Sequence, residues 1–377
     1  MKPYFVCLLT VFLMVTSVAE QRTIDVGGTT REYIIEVPSN YTASMQHDLV
    51  LVFHGMGGTA TNTMFTGFHD HGAADHFITV YPQGLGDIDN VFKPGETTTG
   101  WKFETSNNRD VVFTETLLDS LESEFTIRHD GIYVTGISNG GYFSDILACN
   151  IGDRLGAIAP VIGGYGWLTY AGCPVSQNLP VMHLGTEFDA IVDIKHLRDA
   201  TAFWVNHNNC NPTPVKEGIC DVYTGTGQAA EVKHCEFVCL VGGVPATSKN
   251  AGCHTWPMDY TGYSFEATDM ILAFFRNHGL GGQASLSYPE AGLAPYPAAG
   301  LTIQGNRVRF TLAGTGTVSL NLYSLAGKRT VPLIRSRKMQ PGDHSVLIDP
   351  SRLCIGTFIL ALRSNGRCYS KKMVIIR

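Results

Sequence analysis

Hydrophobic and polar positions along the chain fall into two textures. From residue 31 to residue 279, short β-like apolar runs alternate with segments of helical period. REYIIEV, DLVLVFHG and FITVYPQG come first, then a helix whose apolar face carries Phe113, Leu117, Leu118, Leu121 and Phe125, then GIYVTGIS. AIAPVIGG, LPVMHLGT, a helix around HLRDATAFWVNH, the run EVKHCEFVCLV and a last helix SFEATDMILAFFRNHG, closed by Gly279, complete the series. Strands alternating with helices in this way predict an α/β fold, a mostly parallel sheet with helices on both faces. From Leu301 onward the period changes. NRVRFTLAG, TVSLNLYSL, HSVLID, GTFILALRS and KKMVIIR are short alternating strands separated by turn residues, which predicts a small C-terminal β-sandwich.

The segment between the two textures, GLGGQASLSYPEAGLAPYPAAG, is rich in Gly, Pro and Ala and has little apolar period, so residues 281–300 read as a linker. The first residues, MKPYFVCLLTVFLMVTSVAE, place a lysine at position 2, an apolar run from Phe5 to Val15, and the small residues Ser17 and Ala19 at a cleavable position. That is the pattern of a secretory leader over 1–19. The run is shorter than the ~20 apolar residues a spanning helix needs, so no membrane span is expected. The predicted organisation is therefore a leader 1–19, an α/β body 22–280, a linker 281–300 and a β-sandwich 301–377.

Composition sharpens this picture at two points. Ten cysteines are a liability in a reducing cytosol, whereas export makes Cys149, Cys173, Cys210, Cys220, Cys235, Cys239, Cys253, Cys354 and Cys368 disulfide candidates, with at least one left over. The net charge of -6 conceals an asymmetry: from Leu301 onward thirteen Lys and Arg face only Asp343 and Asp349, a surplus of eleven that leaves -17 upstream. These bases are spread among alternating apolar residues, which fits solvated strand faces and not a nucleic-acid partner.

The candidate chemistry begins at VTGISNGG, residues 134–141. A lone Gly-x-Ser-x-Gly is a weak signal, but here the serine follows a strand and opens a helix, and such a sharp turn lifts its hydroxyl above the sheet. Gly136 and Gly140 keep side chains out of the crowded turn. Ser138 needs a histidine base oriented by a carboxylate, and in hydrolase order these follow it, acid first. His254, in AGCHTWP between the last strand and the last helix, is the best placed of thirteen histidines. LPVMHLGTEFDAIVD offers Glu187, Asp189 and Asp193 on the loop after a strand; Asp189 is the choice and Glu187 its main rival. The oxyanion hole calls for the backbone N–H of Asn139 and a second donor, Met56 or Gly57, from the glycine-rich loop in LVLVFHGMGGTA. Those glycines lack the G-x-G-x-x-G form of a nucleotide site.

The pieces FHGMGG, VYPQG, Trp101, RDVVFTETLLDSLESEF, IYVTGISNGGYFSDILACN, LGTEFDAIVD and CHTWP stand in register over roughly Thr23 to Gly279. In this arrangement the chain resembles the secreted feruloyl esterase and polyhydroxybutyrate depolymerase group of α/β-hydrolases. The resemblance implies the same Ser138, Asp189 and His254 triad and an α/β-hydrolase fold. One departure falls at the acid: the group usually has His-Gly-Thr-x-Asp, and this chain has HLGTEFD, with the aspartate one residue further from the glycine. The tail, in LYSLAGKRTVPL, GDHSVLID and GTFILALRSNG, resembles the C-terminal sorting domain of the type IX secretion system, which implies secretion machinery as a partner.

Other clusters receive plainer readings. His69, Asp70, His71 and His76 read as the end of a surface helix, and Cys235 and Cys239 with His234 and His254 do not make a regular zinc pattern, so no metal is expected. Trp101 and Trp256 are either walls of an aromatic acyl pocket or core residues. Asp110 reads as a helix N-cap. Cys354 and Cys368 flank the expected hairpin GTFILALRSNGR and are placed to staple it if its strands pair. The expected activity is a cofactor-free serine ester hydrolase acting on ester-substituted plant polysaccharide or a small aromatic ester, feruloyl first, acetyl second, polyhydroxybutyrate third. A non-catalytic carbohydrate-binding surface protein on the same fold is the reading from another class.

Overall fold

A computed structural model of the chain describes residues 19–164, 177–227, 229–258, 263, 265–281, 301–304, 307–312, 315–324, 329–348, 356–364 and 367–375. Most of the expected leader and linker, and Cys354, lie outside these residues. The chain divides into two compact units, Met1–Trp256 with Glu266–Leu286, and Pro257–Phe265 with Ser287–Arg377.

The first unit opens with a hairpin of β1 (Glu20–Val26) and β2 (Thr29–Glu36), followed by β3 (His47–Phe53), the one-turn helices α1 (Ala60–Thr63) and α2 (Gly72–Asp75), and β4 (Phe77–Pro82). A separate hairpin, β5 (Leu85–Asp89) and β6 (Thr97–Gly100), precedes α3 (Arg109–Glu124), β7 (Ile127–Ile137), α4 (Asn139–Ile151), β8 (Ala157–Val161), β9 (Val181–Gly185) and α5 (Ile194–His207). Then come β10 (Val215–Glu217), β11 (Cys220–Tyr223), β12 (Val232–Glu236), the small hairpin β13 (Leu240–Val241) and β14 (Val244–Pro245), and α6 (Ala267–Asn277).

Ten strands form one sheet in the order β1-β2-β4-β3-β7-β8-β9-β12-β11-β10. Its centre, from β4 to β12, is parallel, and each end is antiparallel. Every residue of β3, β4, β8 and β9 is buried, as expected of parallel strands covered on both faces. α3 turns Val111, Phe113, Leu117, Leu118 and Leu121 inward on one face. Its N-cap is Asn108, whose side chain accepts from the Asp110 and Val111 N–H groups. Asp110 is therefore not the cap. Its carboxylate is fully buried against Arg31 at 2.8 Å, and Arg31 in turn lies over the Phe113 ring. Removing one partner of such a pair costs roughly 3–5 kcal/mol because the other charge is left buried alone.

The parallel centre brings the loops that follow β3, β7, β9 and β12 to one edge of the sheet. β3 has β4 on one side and β7 on the other, so the chain reverses its direction of winding between β3 and β7. Such a switch point opens a crevice at the carboxyl ends of the strands, where ligands bind in open α/β sheets.

Two disulfides are described. Cys220–Cys235 joins partners in the β11–β12 ladder, and Cys239–Cys253 closes the loop that ends one residue before His254. Cys149 is also bonded, and Cys210 is free. Closing a loop of about 15 residues stabilises a fold by about 3 kcal/mol.

The second unit contains β15 (Thr302–Gln304), β16 (Arg307–Leu312), β17 (Gly316–Ser324), β18 (Arg329–Met339), β19 (Gly342–Leu347), β20 (Gly356–Ser364) and β21 (Arg367–Ile375). They form a three-stranded sheet, β15-β16-β19, and a four-stranded sheet, β18-β17-β20-β21. Val308, Phe310 and Leu312 from the first and Val318, Leu320, Leu322, Phe358, Leu360 and Leu362 from the second share one core. β20 and β21 are antiparallel, with Ser364 opposite Arg367. β18 was not foreseen: Pro332 and a run of bases interrupt its pattern, and both are tolerated because it is an edge strand with irregular register.

Candidate active site

Ser138 joins β7 to α4 with φ 56° and ψ -120°, a conformation that non-glycine residues rarely adopt. Its own N–H donates to Val161 O, and Tyr142 N–H donates to its carbonyl. Although Ser138 occupies the N-cap position of α4, its side chain makes no capping bond. The strained turn has room because Gly136 and Gly140, two residues to either side, carry no side chains: a Cβ on Gly140 would stand 2.6 Å from His54 O. The half-buried hydroxyl makes no hydrogen bond with any described residue. Contacts between a catalytic hydroxyl and its base are commonly long before substrate binds.

Asp189 and His254 meet directly. His254 Nδ1 donates to Asp189 Oδ2 at 2.7 Å, and Asp189 Oδ1 accepts from the Ile191 and Val192 N–H groups at 2.6 and 3.0 Å. The aspartate is 1% exposed, so both oxygens are committed inside the loop. Glu187 points outward and is exposed. The loop bends so that residue 189, and not 187, faces the imidazole: Asn250 N–H donates to Phe188 O at 2.7 Å, docking the segment before His254 onto the segment around Asp189. The Cys239–Cys253 disulfide anchors the same segment.

On the other side of Ser138, Gly55 to Gly58 form a tight turn closed by Gly58 N–H to Gly55 O at 2.9 Å. Gly57, at φ +75°, takes the third position of that turn, where a side chain would be strained. A Cβ on Gly55 would lie 3.3 Å from that of Ser138, so this turn abuts the serine. Of the two expected donors here, Gly57 is excluded, because its N–H is bound to Thr99 O at 2.8 Å. The Met56 N–H has no partner among the described residues. Asn139 is the first residue of α4, where a backbone N–H has no acceptor inside the helix.

His54 shapes this turn. Its Nδ1 donates to Gly55 O at 2.7 Å and its Nε2 accepts from Gly84 N–H at 2.9 Å, which fixes the neutral tautomer. Burial lowers its pKa from 6.5 to about 4. Between those values the unfolded chain binds a proton that the folded one refuses. The contribution of His54 to stability is thus complete above pH 6.5 and is lost as pH falls toward 4, by up to about 3 kcal/mol. Urea unfolding at pH 7 and pH 4.5 should show a smaller decline for His54→Gln than for the unmodified chain; equal declines would remove His54 from the account.

Trp101 and Trp256 are buried in the core. Trp101 is 0% exposed, stacks on Phe143, and donates its indole N–H to His54 O; Trp256 is 1% exposed and donates to Thr268 Oγ1. The TTTG preceding Trp101 is strand β6. A buried polar layer behind the site was not anticipated. Asp145 of α4, His183 of β9, Thr201 of α5 and His234 of β12 are hydrogen-bonded in sequence, tying together the elements that carry the site. Only the facing of β9 and β12 brings the two histidines opposite one another.

Residues 26–164 match the family model described as "Putative esterase". The matched span contains the turn after β3 and Ser138, and it ends before Asp189 and His254. Feruloyl esterase C of Emericella nidulans is 26% identical over 194 residues, 49% of this chain and 64% of that protein. Poly(3-hydroxyalkanoate) depolymerase C of Paucimonas lemoignei is 28% identical over 133 residues, 34% of this chain and 30% of that one. The chain thus spans less than two thirds of the length of the curated relatives it matches. Among solved structures, acetyl xylan esterase from Aspergillus awamori aligns with TM-score 0.45 and 14% identity, over 58% of this chain and 93% of that one.

Proposed function

We propose that the chain is a secreted serine carboxylic ester hydrolase, a feruloyl esterase releasing hydroxycinnamate from plant cell-wall polysaccharide. The observation that carries this reading is the 2.7 Å Asp189–His254 hydrogen bond at the same sheet edge as a serine held in a strained strand-to-helix turn. Ser138 Oγ attacks the ester carbonyl while His254 Nε2 takes its proton. The oxyanion that forms is stabilised by the N–H groups of Met56 and Asn139. His254 then returns the proton to the departing alcohol, and a water activated by the same imidazole hydrolyses the acyl-enzyme. Asp189 holds the imidazole in the tautomer that keeps Nε2 free and steadies its charge. No cofactor enters these steps.

Similarity to both feruloyl esterases and a polyhydroxyalkanoate depolymerase supports the ester-hydrolase class; acetyl xylan and polyhydroxybutyrate are the alternative substrates. Hydrolysis of methyl hydroxycinnamates, acetylated xylan and polyhydroxybutyrate side by side decides among them. A fluorophosphonate that fails to label Ser138 would favour a non-catalytic carbohydrate-binding protein instead.

The two sheets with one shared core in residues 301–377 support a C-terminal β-sandwich, to which we assign delivery through secretion machinery. Cutting the chain near Gly282 is expected to leave hydrolysis of a small soluble ester within about twofold, since every residue assigned to chemistry lies upstream. Loss of that activity would place the tail in the catalytic body. Failure of surface display or release alone supports sorting, and loss confined to insoluble cell wall supports substrate binding.

A further inference from the structure

We infer that the segment Thr99–Trp101 is a clamp that sets the relative position of the two oxyanion donors, and that the Asn139 carboxamide and the Thr99 hydroxyl are its positioning groups. The inference rests on the ester-hydrolase reading above. Its basis is a closed set of hydrogen bonds with the end of β6 in the middle. Toward the helix, Asn139 Oδ1 accepts from Trp101 N–H at 2.7 Å and Asn139 Nδ2 donates to Trp101 O at 3.1 Å. Toward the turn, Gly57 N–H donates to Thr99 O at 2.8 Å and Thr99 Oγ1 donates to Gly58 O at 2.7 Å. A third bond, from the Trp101 indole to His54 O at 2.9 Å, fixes the root of the turn.

The two donor groups belong to segments more than eighty residues apart in sequence, and each is free only because its neighbours are tied. Met56 lies between Gly55, whose carbonyl accepts from His54 and Gly58, and Gly57, whose N–H is bound by Thr99. Asn139 offers its backbone N–H at the start of α4 while its side chain, 2% exposed with the rest of the residue, is wholly occupied by the Trp101 backbone. The three residues Thr99–Trp101, the end of β6 and the residue after it, therefore bond to both donor-bearing segments at once. Because the span is short and bonded at both ends, it fixes their separation with few soft degrees of freedom. Donors aimed at a charge that appears only in the transition state gain their effect from being held in place beforehand. Neither Asn139 Oδ1 nor Thr99 Oγ1 touches substrate in this scheme; they act through the N–H groups they hold.

The test uses Thr99→Val and Asn139→Asp, singly and together, in the full chain, with rates expressed per site labelled by a fluorophosphonate. Thr99→Val removes one hydroxyl with little change of shape. Asn139→Asp keeps the acceptor for Trp101 N–H and sets a carboxylate oxygen against Trp101 O. On a soluble methyl hydroxycinnamate, kcat is expected to fall roughly ten- to a hundredfold for Asn139→Asp, the scale of a donor displaced by about 1 Å, with KM within about twofold. The smaller loss in Thr99→Val should not add fully to it in the double variant, since both break one clamp. The inhibition constant of phenylboronic acid, a tetrahedral mimic, should rise by the same factor as kcat/KM falls, which a general loosening of the fold would not produce.

Unchanged kcat in both single variants, a rise in KM alone, or unaltered boronate affinity would each overturn the clamp while a labelled, active unmodified chain keeps the esterase reading. An unmodified chain that is neither labelled on Ser138 nor active on any ester overturns both.

Discussion

Replacing Ser138 by alanine is expected to remove ester hydrolysis, by at least about 10⁴-fold in kcat, while the chain stays folded. Adding His254→Ala should lower the rate little further, because serine and imidazole act as one proton-transfer unit and the residual rate belongs to binding and the oxyanion donors. Glycine at the same position separates catalysis from stability. At φ 56° and ψ -120° a serine pays backbone strain of about 1–3 kcal/mol that glycine does not. Part of this is offset by the larger freedom of glycine in the unfolded chain, leaving a net gain of about 1 kcal/mol. Ser138→Gly should therefore be as inactive as Ser138→Ala and yet melt higher, by about 2–4 °C for a body of this size. Measurable turnover in either variant, or a lower Tm for glycine than for alanine, would count against the assignment of a strained nucleophile.

The second large effect concerns the acid. In Asp189→Asn the amide oxygen can still accept from the Ile191 and Val192 N–H groups, so the loop should keep its shape. The amide nitrogen is then left facing His254 Nδ1. Two donors cannot share that contact, so the imidazole moves its proton to Nε2, the atom that must receive the serine proton. A wrong tautomer in an intact geometry costs about 10⁴-fold in a Ser-His-Asp triad of the same arrangement on another fold. Glu187→Gln, at an exposed position, should change kcat/KM by less than about twofold. Assay of the two variants on one methyl hydroxycinnamate settles the acid: damage from Glu187→Gln with a mild Asp189→Asn would reverse the choice.

Most of the sheet was legible because its central strands are buried on both faces and read as unbroken apolar runs, and because glycines mark the turn at Ser138. The choice between Asp189 and Glu187 was not. Both lie on one loop two residues apart, and only the backbone N–H groups of Ile191 and Val192 and the docking of Asn250 determine which carboxylate turns inward. Residue type likewise does not distinguish an aromatic core from an aromatic pocket, so Trp101 and Trp256 had to await their indole partners. Asp110 illustrates a competition between local and distant partners. An aspartate at a helix start favours capping, but Arg31, nearly eighty residues earlier, captures it, and Asn108 caps instead. The hairpin β5–β6 was obscured by its glycines and threonines, and with it the bonds from Thr99 and Trp101 to the turn after β3.

The parallel order of the central strands also governs when the chain can act. β7 and α4 place Ser138 once residues 20–151 are in position, but β9, β12 and the disulfide-closed loop before residue 254 come later in the chain and must be added to the far side of the sheet. Parallel pairing of this kind joins distant segments and is slow to complete. On the proposed reading, a chain emerging from synthesis therefore carries its serine for a long interval without a base, and hydrolysis is expected to start only when the loop carrying His254 has docked beside Asp189. Acquisition of the first turnover is in this sense a clock for the end of folding: in refolding experiments, activity should lag behind recovery of secondary structure.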